Sequence, residues 1–263
     1  MFLFLLTGIY IGIIEIILFG IFSYFIKLSH KNLRNIDGLT YYWTMMTVLT
    51  GLWEISFISN YRNTNLYSTE LLKNKTHVWT NEYDLTYILP WKLSHIFYAE
   101  YGAYADREYM TIRNDWSRII EGTHAIFCGL FSLLAIQYKL RDMTYTYKIS
   151  LGIAMGSQLM NSILYMGNYF IECNEPDSLN LNTTSFPTGK YLNKRSFMYV
   201  NLFWTVMPLL IIIDLLLFNE NKFNTTKTTT TLDSSKNSCM NDYTDTKNIK
   251  YKLDKNKLND TNY

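Results

Sequence analysis

The sequence predicts an all-α integral membrane protein, a bundle of five transmembrane helices followed by a polar, disordered cytosolic tail. Three observations predict it. The apolar residues gather into five blocks, each close to the roughly 20 residues needed to cross a hydrocarbon core. Basic residues concentrate in alternate loops, as the positive-inside rule requires. Beyond Asn219 the composition turns to Thr, Asn, Lys, Ser and Asp, which cannot bury enough apolar area to offset the entropy of ordering. Mean hydropathy is −0.05, a value that averages apolar blocks against polar loops and tail.

The first block, Phe2 to Ile26, contains Glu15 as its only charge. No basic residue precedes it and it is too long for a signal-peptide core, so it reads as a retained helix. The second block runs from Leu39 to Ser59 and is interrupted by Glu54. The third covers about Trp116 to Tyr138, the fourth about Tyr147 to Ile171, and the fifth about Phe197 to Phe218. Between the second and third lies a mixed loop whose apolar stretch Leu85 to Trp91, broken by Pro90, is too short to span and reads as interfacial. The chain thus divides into a first helix and loop (1–38), a four-helix transmembrane domain (39–218) and a tail (219–263).

Lys27, Lys31 and Arg34 in the first loop, Lys139, Arg141 and Lys148 in the third, and the lysine-rich tail fall on one side of a five-helix chain, which is then cytosolic. The N-terminal side, and the second and fourth loops, become luminal. Each luminal loop carries a glycosylation sequon, at Asn74 and at Asn182. Asn224 and Asn259 also stand in sequons, but in the cytosolic tail.

Charge balance excludes other classes. With 24 basic and 22 acidic residues the net charge is +2, which gives nucleic-acid binding no electrostatic basis. Cys128, Cys173 and Cys239 are scattered without a C-x-x-C, so neither a disulfide framework nor a zinc knuckle is indicated. No metal or cofactor is expected.

Carboxylates at bilayer depth are costly and usually turn toward the bundle interior. Glu15 reads as a structural hydrogen-bonding group, and Asp214 as one that reaches the interface. Glu54 and Glu121 are different. Glu121 is followed by His124 at i+3, on the same helical face, and Asn201 and Trp204 share that spacing four residues before Pro208. Singly, each fits a buried polar group bonding between helices; together they describe either that or a lined cavity.

Five stretches of the chain, in order from about 39 to 218, resemble the EXPERA-domain family of membrane proteins, in particular its emopamil-binding, sterol-isomerising branch. They are Trp43 through Glu54; Glu100-Tyr101 followed by Asp106-Arg107-Glu108-Tyr109; Glu121 through Leu134; Gln158 through Tyr165 with Glu172; and Asn201-x-x-Trp204-x-x-x-Pro208. The resemblance implies a five-helix bundle of the endoplasmic reticulum, with a lipid bilayer around it and a sterol held in an intramembrane cavity. It implies a Δ8-to-Δ7 sterol isomerase, an enzyme needing no cofactor. Burial favours the neutral form of a carboxyl, so a buried Glu can deliver a proton at neutral pH. An aromatic face and a nearby carboxylate would stabilise the carbocation. On that pattern Glu54, Glu121 and His124 are the catalytic candidates. Thr50, Trp53, Asp106, Tyr109, Asn201 and Trp204 would contact substrate, with Trp204 facing the cation and Asn201 orienting a carboxyl. A second copy of the chain is a candidate partner.

The sequence departs from the family at Thr50, where the isomerases have a histidine four residues before the first acid; a hydroxyl hydrogen-bonds but does not relay protons near neutral pH. Conversely, His124 stands where they have a threonine. Either the histidine has crossed the cavity to serve Glu54 or Glu121, or catalysis is lost and a non-catalytic sterol-binding or trafficking protein remains. A small transporter fits less well, because no internal repeat or pair of broken helices is present.

The topology predicts that Asn74→Gln and Asn182→Gln each remove one glycosidase-sensitive mass shift on electrophoresis. Asn224→Gln and Asn259→Gln should change nothing, and a glycan on the tail would invert the orientation.

Overall fold

The computed structural model describes residues 5–107, 116–172 and 199–217. The chain divides into two compact units, 1–212 and 213–263, and the second is described only over 213–217. The described chain is almost wholly helical; Tyr109 and Asn182 lie outside it.

The first departure from a purely helical reading comes at the start. Leu5–Thr7 forms a strand, β1, and helix α1 begins only at Gly8, running Gly8–Ser29. β1 pairs antiparallel with β2, Glu82–Asp84, with Leu6 opposite Tyr83. The reason is a loop seated on the helix start. The Gly8 N–H, unpaired within the helix, donates to the Asn81 carbonyl at 3.1 Å. A Cβ at Gly8 would stand 2.3 Å from the Val78 carbonyl oxygen, so only glycine admits that loop.

After the short α2 (Lys31–Arg34), helix α3 spans Gly38–Asn74, 37 residues. Asp37 caps it by accepting from the Thr40 N–H at 2.8 Å, and Lys75 ends it in the left-handed conformation, φ 54°. At about 1.5 Å per residue the helix is about 55 Å long, against a hydrocarbon core of about 30 Å. The expected second span, 39–59, is therefore only its first part. Asn60 departs from helical backbone angles (φ −112°, ψ 18°) just past that span.

The apolar stretch Leu85 to Trp91, expected to end at Pro90, is a turn and a helix start. Leu85–Ile88 makes a 3-10 turn capped by Asp84, which accepts from the Thr86 N–H at 2.8 Å. Hydrogen bonds from Thr86 hold the Asp84 carboxyl below the usual range. Pro90 then opens helix α4, Pro90–Tyr104, at its first position, where a missing N–H costs nothing. Among the described residues α3 and α4 share an extensive interface. It buries Trp53, Phe57, Leu71, Leu93, Ile96 and Ala99 in one core, and the Phe57 and Tyr98 rings stack at 4.4 Å.

Helix α5 (Trp116–Thr123) passes into a π-helical segment, His124–Leu130, and on into α6 (Phe131–Leu140). Helix α7 is Thr144–Glu172 and α8 is Tyr199–Leu217. Three helical stretches, Gly8–Ser29, Arg118–Leu140 and Tyr199–Leu217, are long and apolar enough to cross a membrane. Their outward residues, among them Ile13, Ile17, Phe25, Phe127, Leu202 and Phe203, are exposed, as an apolar face turned to lipid is. Helices α3 and α7 have the length to span but carry more polar residues.

One crossing sets the centre of the bundle. Gly51 of α3 and Gly129 of the π segment meet backbone to backbone: a Cβ on Gly51 would lie 2.9 Å from the Gly129 Cα. Small residues at helix crossings allow this approach. Gly51→Leu should therefore overpack the crossing and lower stability by about 1–3 kcal/mol, measured by thermal unfolding in detergent micelles. Gly152→Ala, with nothing within 4 Å of the new Cβ, should leave the transition unchanged or raise it.

Candidate functional site

The Gly51–Gly129 contact brings α3 and the π segment close enough for polar side chains one turn away to touch. Glu54 follows Gly51 by three residues, and His124 precedes Gly129 by five. Their side chains are hydrogen-bonded through His124 Nδ1 and Glu54 Oε1. Glu54 is buried, and its second oxygen, Oε2, has no hydrogen-bond partner among the described residues. A π turn carries one residue more than an α turn, and such widenings frequently mark functional sites. The π segment also carries Cys128, which is buried one turn beyond His124.

Glu121, on α5, accepts a hydrogen bond from the Tyr98 hydroxyl at 3.1 Å. The two glutamates are near enough for their charges to interact. They do not lie on opposite outer faces.

Trp204 of α8 closes the other side. Its ring stands 4.7 Å from that of Trp43 and 6.4 Å, edge to face, from that of His124. Its position follows from Pro208. Lacking an N–H, Pro208 leaves the Trp204 carbonyl without its helical donor; Ser162 of α7 supplies one, with Oγ donating at 3.0 Å. Trp43 in turn is fixed by donating Nε1 to Gln158 Oε1 at 2.9 Å. Beside it Gly38, Leu39, Tyr42, Trp43 and Met207 line an open apolar groove of about 440 Å³.

The other candidates are held elsewhere. The Thr50 hydroxyl donates to the Thr47 carbonyl of its own helix at 3.1 Å. Trp53 donates Nε1 to Glu15 Oε1 of α1 at 3.1 Å, so it engages the first helix while Glu54 engages His124. This gives Glu15 the partner that sequence alone could not name. Asn201 is hydrogen-bonded to Tyr101. Asp106, buried, accepts from the Tyr165 hydroxyl at 3.0 Å. Asp214 is half-buried and falls in the second unit. Tyr98 was not singled out by the sequence, whereas Tyr101 and Tyr165 entered it only within stretches that carry the family resemblance and Cys128 only as a scattered cysteine, none of them as a site residue.

Among the described residues no three His, Cys, Asp or Glu side chains gather to hold a metal ion. No family model, curated protein or solved structure matches the chain.

Chemically, the site offers a carboxyl paired with an imidazole, a second carboxyl held by a phenol, and an indole face between helices. Such a set can give a proton at one point and accept one at another. Removing one partner of a buried pair leaves the other uncompensated, at about 3–5 kcal/mol. His124→Leu and Glu54→Leu should each lower the thermal unfolding temperature, whereas the double variant, with no orphaned polar group, should unfold above either single one.

Proposed function

We propose that the chain is a five-span membrane protein of the endoplasmic reticulum that isomerises Δ8-sterols to Δ7-sterols. In this reading the first part of α3 and the whole of α7 are the second and fourth spans. They join the three helices whose apolar composition already suffices, with the N-terminal side luminal and the tail cytosolic. The observation that carries the reading is the Glu54–His124 pair with Glu121 beside it. The histidine that the family resemblance expects at Thr50 has an equivalent on the facing segment, bonded to the same acid.

The reaction would run as follows. Glu121, held by Tyr98, gives its proton to one carbon of the C8–C9 double bond. The resulting cation is stabilised by the Trp204 ring. A proton then leaves C7 for the Glu54–His124 pair, and its bonding electrons form the C7–C8 double bond. One proton is added and one removed, so no oxidant or reductant is needed. The apolar groove at Trp43 suits the hydrocarbon part of a sterol, held by burial alone. A second reading, a sterol-binding protein without catalysis, is favoured by the Thr50 hydroxyl, which is committed to the Thr47 carbonyl and relays nothing.

Expression in cells lacking their own Δ8–Δ7 isomerase, with sterol profiling by mass spectrometry, tests this. The wild-type chain should produce Δ7-sterol. Glu121→Gln should lower the rate by about 10²–10⁴, the usual contribution of a general acid, with labelled-sterol binding kept. Retained binding without any Δ7 product from the wild-type chain would overturn the isomerase in favour of the holder.

A further inference from the structure

Trp43 belongs to two features at once. It lines the apolar groove with Gly38, Leu39, Tyr42 and Met207, and its ring lies 4.7 Å from that of Trp204, which stands edge to face with His124. Each of the two helices serves groove and site with neighbouring residues of one face. On α3, Leu39, Tyr42 and Trp43 stand at i, i+3 and i+4; on α8, Met207 follows Trp204 at i+3. Trp43 and Glu54 are eleven positions apart, about 16 Å of helix. Only an elongated ligand can lie in the groove and still reach the acid.

The two rings between groove and acids are held from behind by α7. Gln158, completely buried, accepts the Trp43 indole N–H at 2.9 Å. One turn on, Ser162 donates to the Trp204 carbonyl at 3.0 Å. Burying an amide costs free energy unless it is bonded, and the Gln158 Oε1 bond goes to the one ring that groove and site share. None of the groove residues is charged, so the groove takes uncharged hydrocarbon.

We propose that the groove holds the aliphatic tail of the sterol and that Trp43, positioned by Gln158, couples tail occupancy to the Trp204 face, an inference that rests on the isomerase reading above. The ring system then lies beyond Trp204, at Glu54, His124 and Glu121. A tail in the groove presses Trp43 against Trp204 and so keeps the indole face where the cation forms. Contacts far from the reacting carbons thereby act on the chemical step. A substrate deprived of them loses kcat as well as affinity. Gln158 touches no substrate; it is a positioning residue that acts through Trp43.

The test is turnover and binding of two Δ8-sterols by the full chain in lipid bilayers, one with its aliphatic tail and one cut back to the ring system. The wild-type chain should turn over the tailed sterol with a kcat tenfold or more higher. In the double variant Trp43→Phe with Gln158→Leu, which keeps a ring and orphans no polar group, the two kcat values should agree within twofold. Simple destabilisation would slow both sterols alike and preserve their ratio. Gly38→Phe, whose Cβ meets nothing within 4 Å, fills the groove without a clash and should remove the tail's advantage in kcat and in affinity. A wild-type kcat blind to the tail, or a ratio unmoved in the double variant, overturns the coupling. Equal wild-type affinity for the two sterols overturns the groove as the tail site. If neither sterol yields Δ7 product, the isomerase falls and the coupling with it, while a tail-dependent affinity that Gly38→Phe abolishes keeps the groove.

Discussion

The contact between Gly51 and Gly129 is the constraint on which the centre of the bundle depends. Helices surrounded by lipid gain little from burying apolar side chains, since the lipid tails are equally apolar; close packing and interhelical hydrogen bonds hold them instead. With no Cβ on either residue, α3 and the π segment touch through their backbones. Side chains one turn away then span a gap short enough for Glu54 to bond His124. A methyl group at either glycine would force the elements apart, and the Glu54–His124 hydrogen bond would be the first to break. Packing geometry and site chemistry are one feature here.

Around that crossing the remaining helices are tied by polar groups that apolar surroundings would otherwise leave unsatisfied. Glu15 receives the Trp53 indole N–H, linking α1 to α3. Trp43 donates to Gln158, linking α3 to α7. Ser162 meets the carbonyl that Pro208 orphans, linking α7 to α8. Ser94 donates to the Trp53 carbonyl at 2.5 Å, linking α4 to α3. Each bond is worth only about 1 kcal/mol net, but an unmade one in this environment costs more than a made one gains. The helix order is therefore specified by satisfaction of polar groups as much as by shape.

Beyond Asn60 the chain builds a small cap. The α3 extension, α4, the β1–β2 ribbon and the 3-10 turn share one aromatic-rich core. Glu100, within a motif that the family resemblance picked out, is a structural residue. It accepts from the Val78 N–H at 2.9 Å and is bonded to His77 Nδ1 at 2.7 Å, fixing the loop that seats on Gly8. The cap thus joins the first helix to the helix that carries Tyr98 and Tyr101.

The sequence by itself determined the apolar helices and the residue types of the site, because both are local: lipid crossing needs a run of apolar residues, and an i, i+3 pair shares a face wherever its helix goes. It placed Glu121 with His124, and Asn201 with Trp204, for that reason. It misread Leu5 to Thr7 as helix and Pro90 as the end of an apolar stretch, where a long-range strand pairing and a proline at a helix start override the local pattern. Tertiary structure alone decided the partners: His124 with Glu54, Trp53 with Glu15, Asp106 with Tyr165. Each joins residues separated by 38 to 70 positions, and no periodicity carries that information. Only the approach of one backbone to another, permitted by two glycines, determines which polar groups meet.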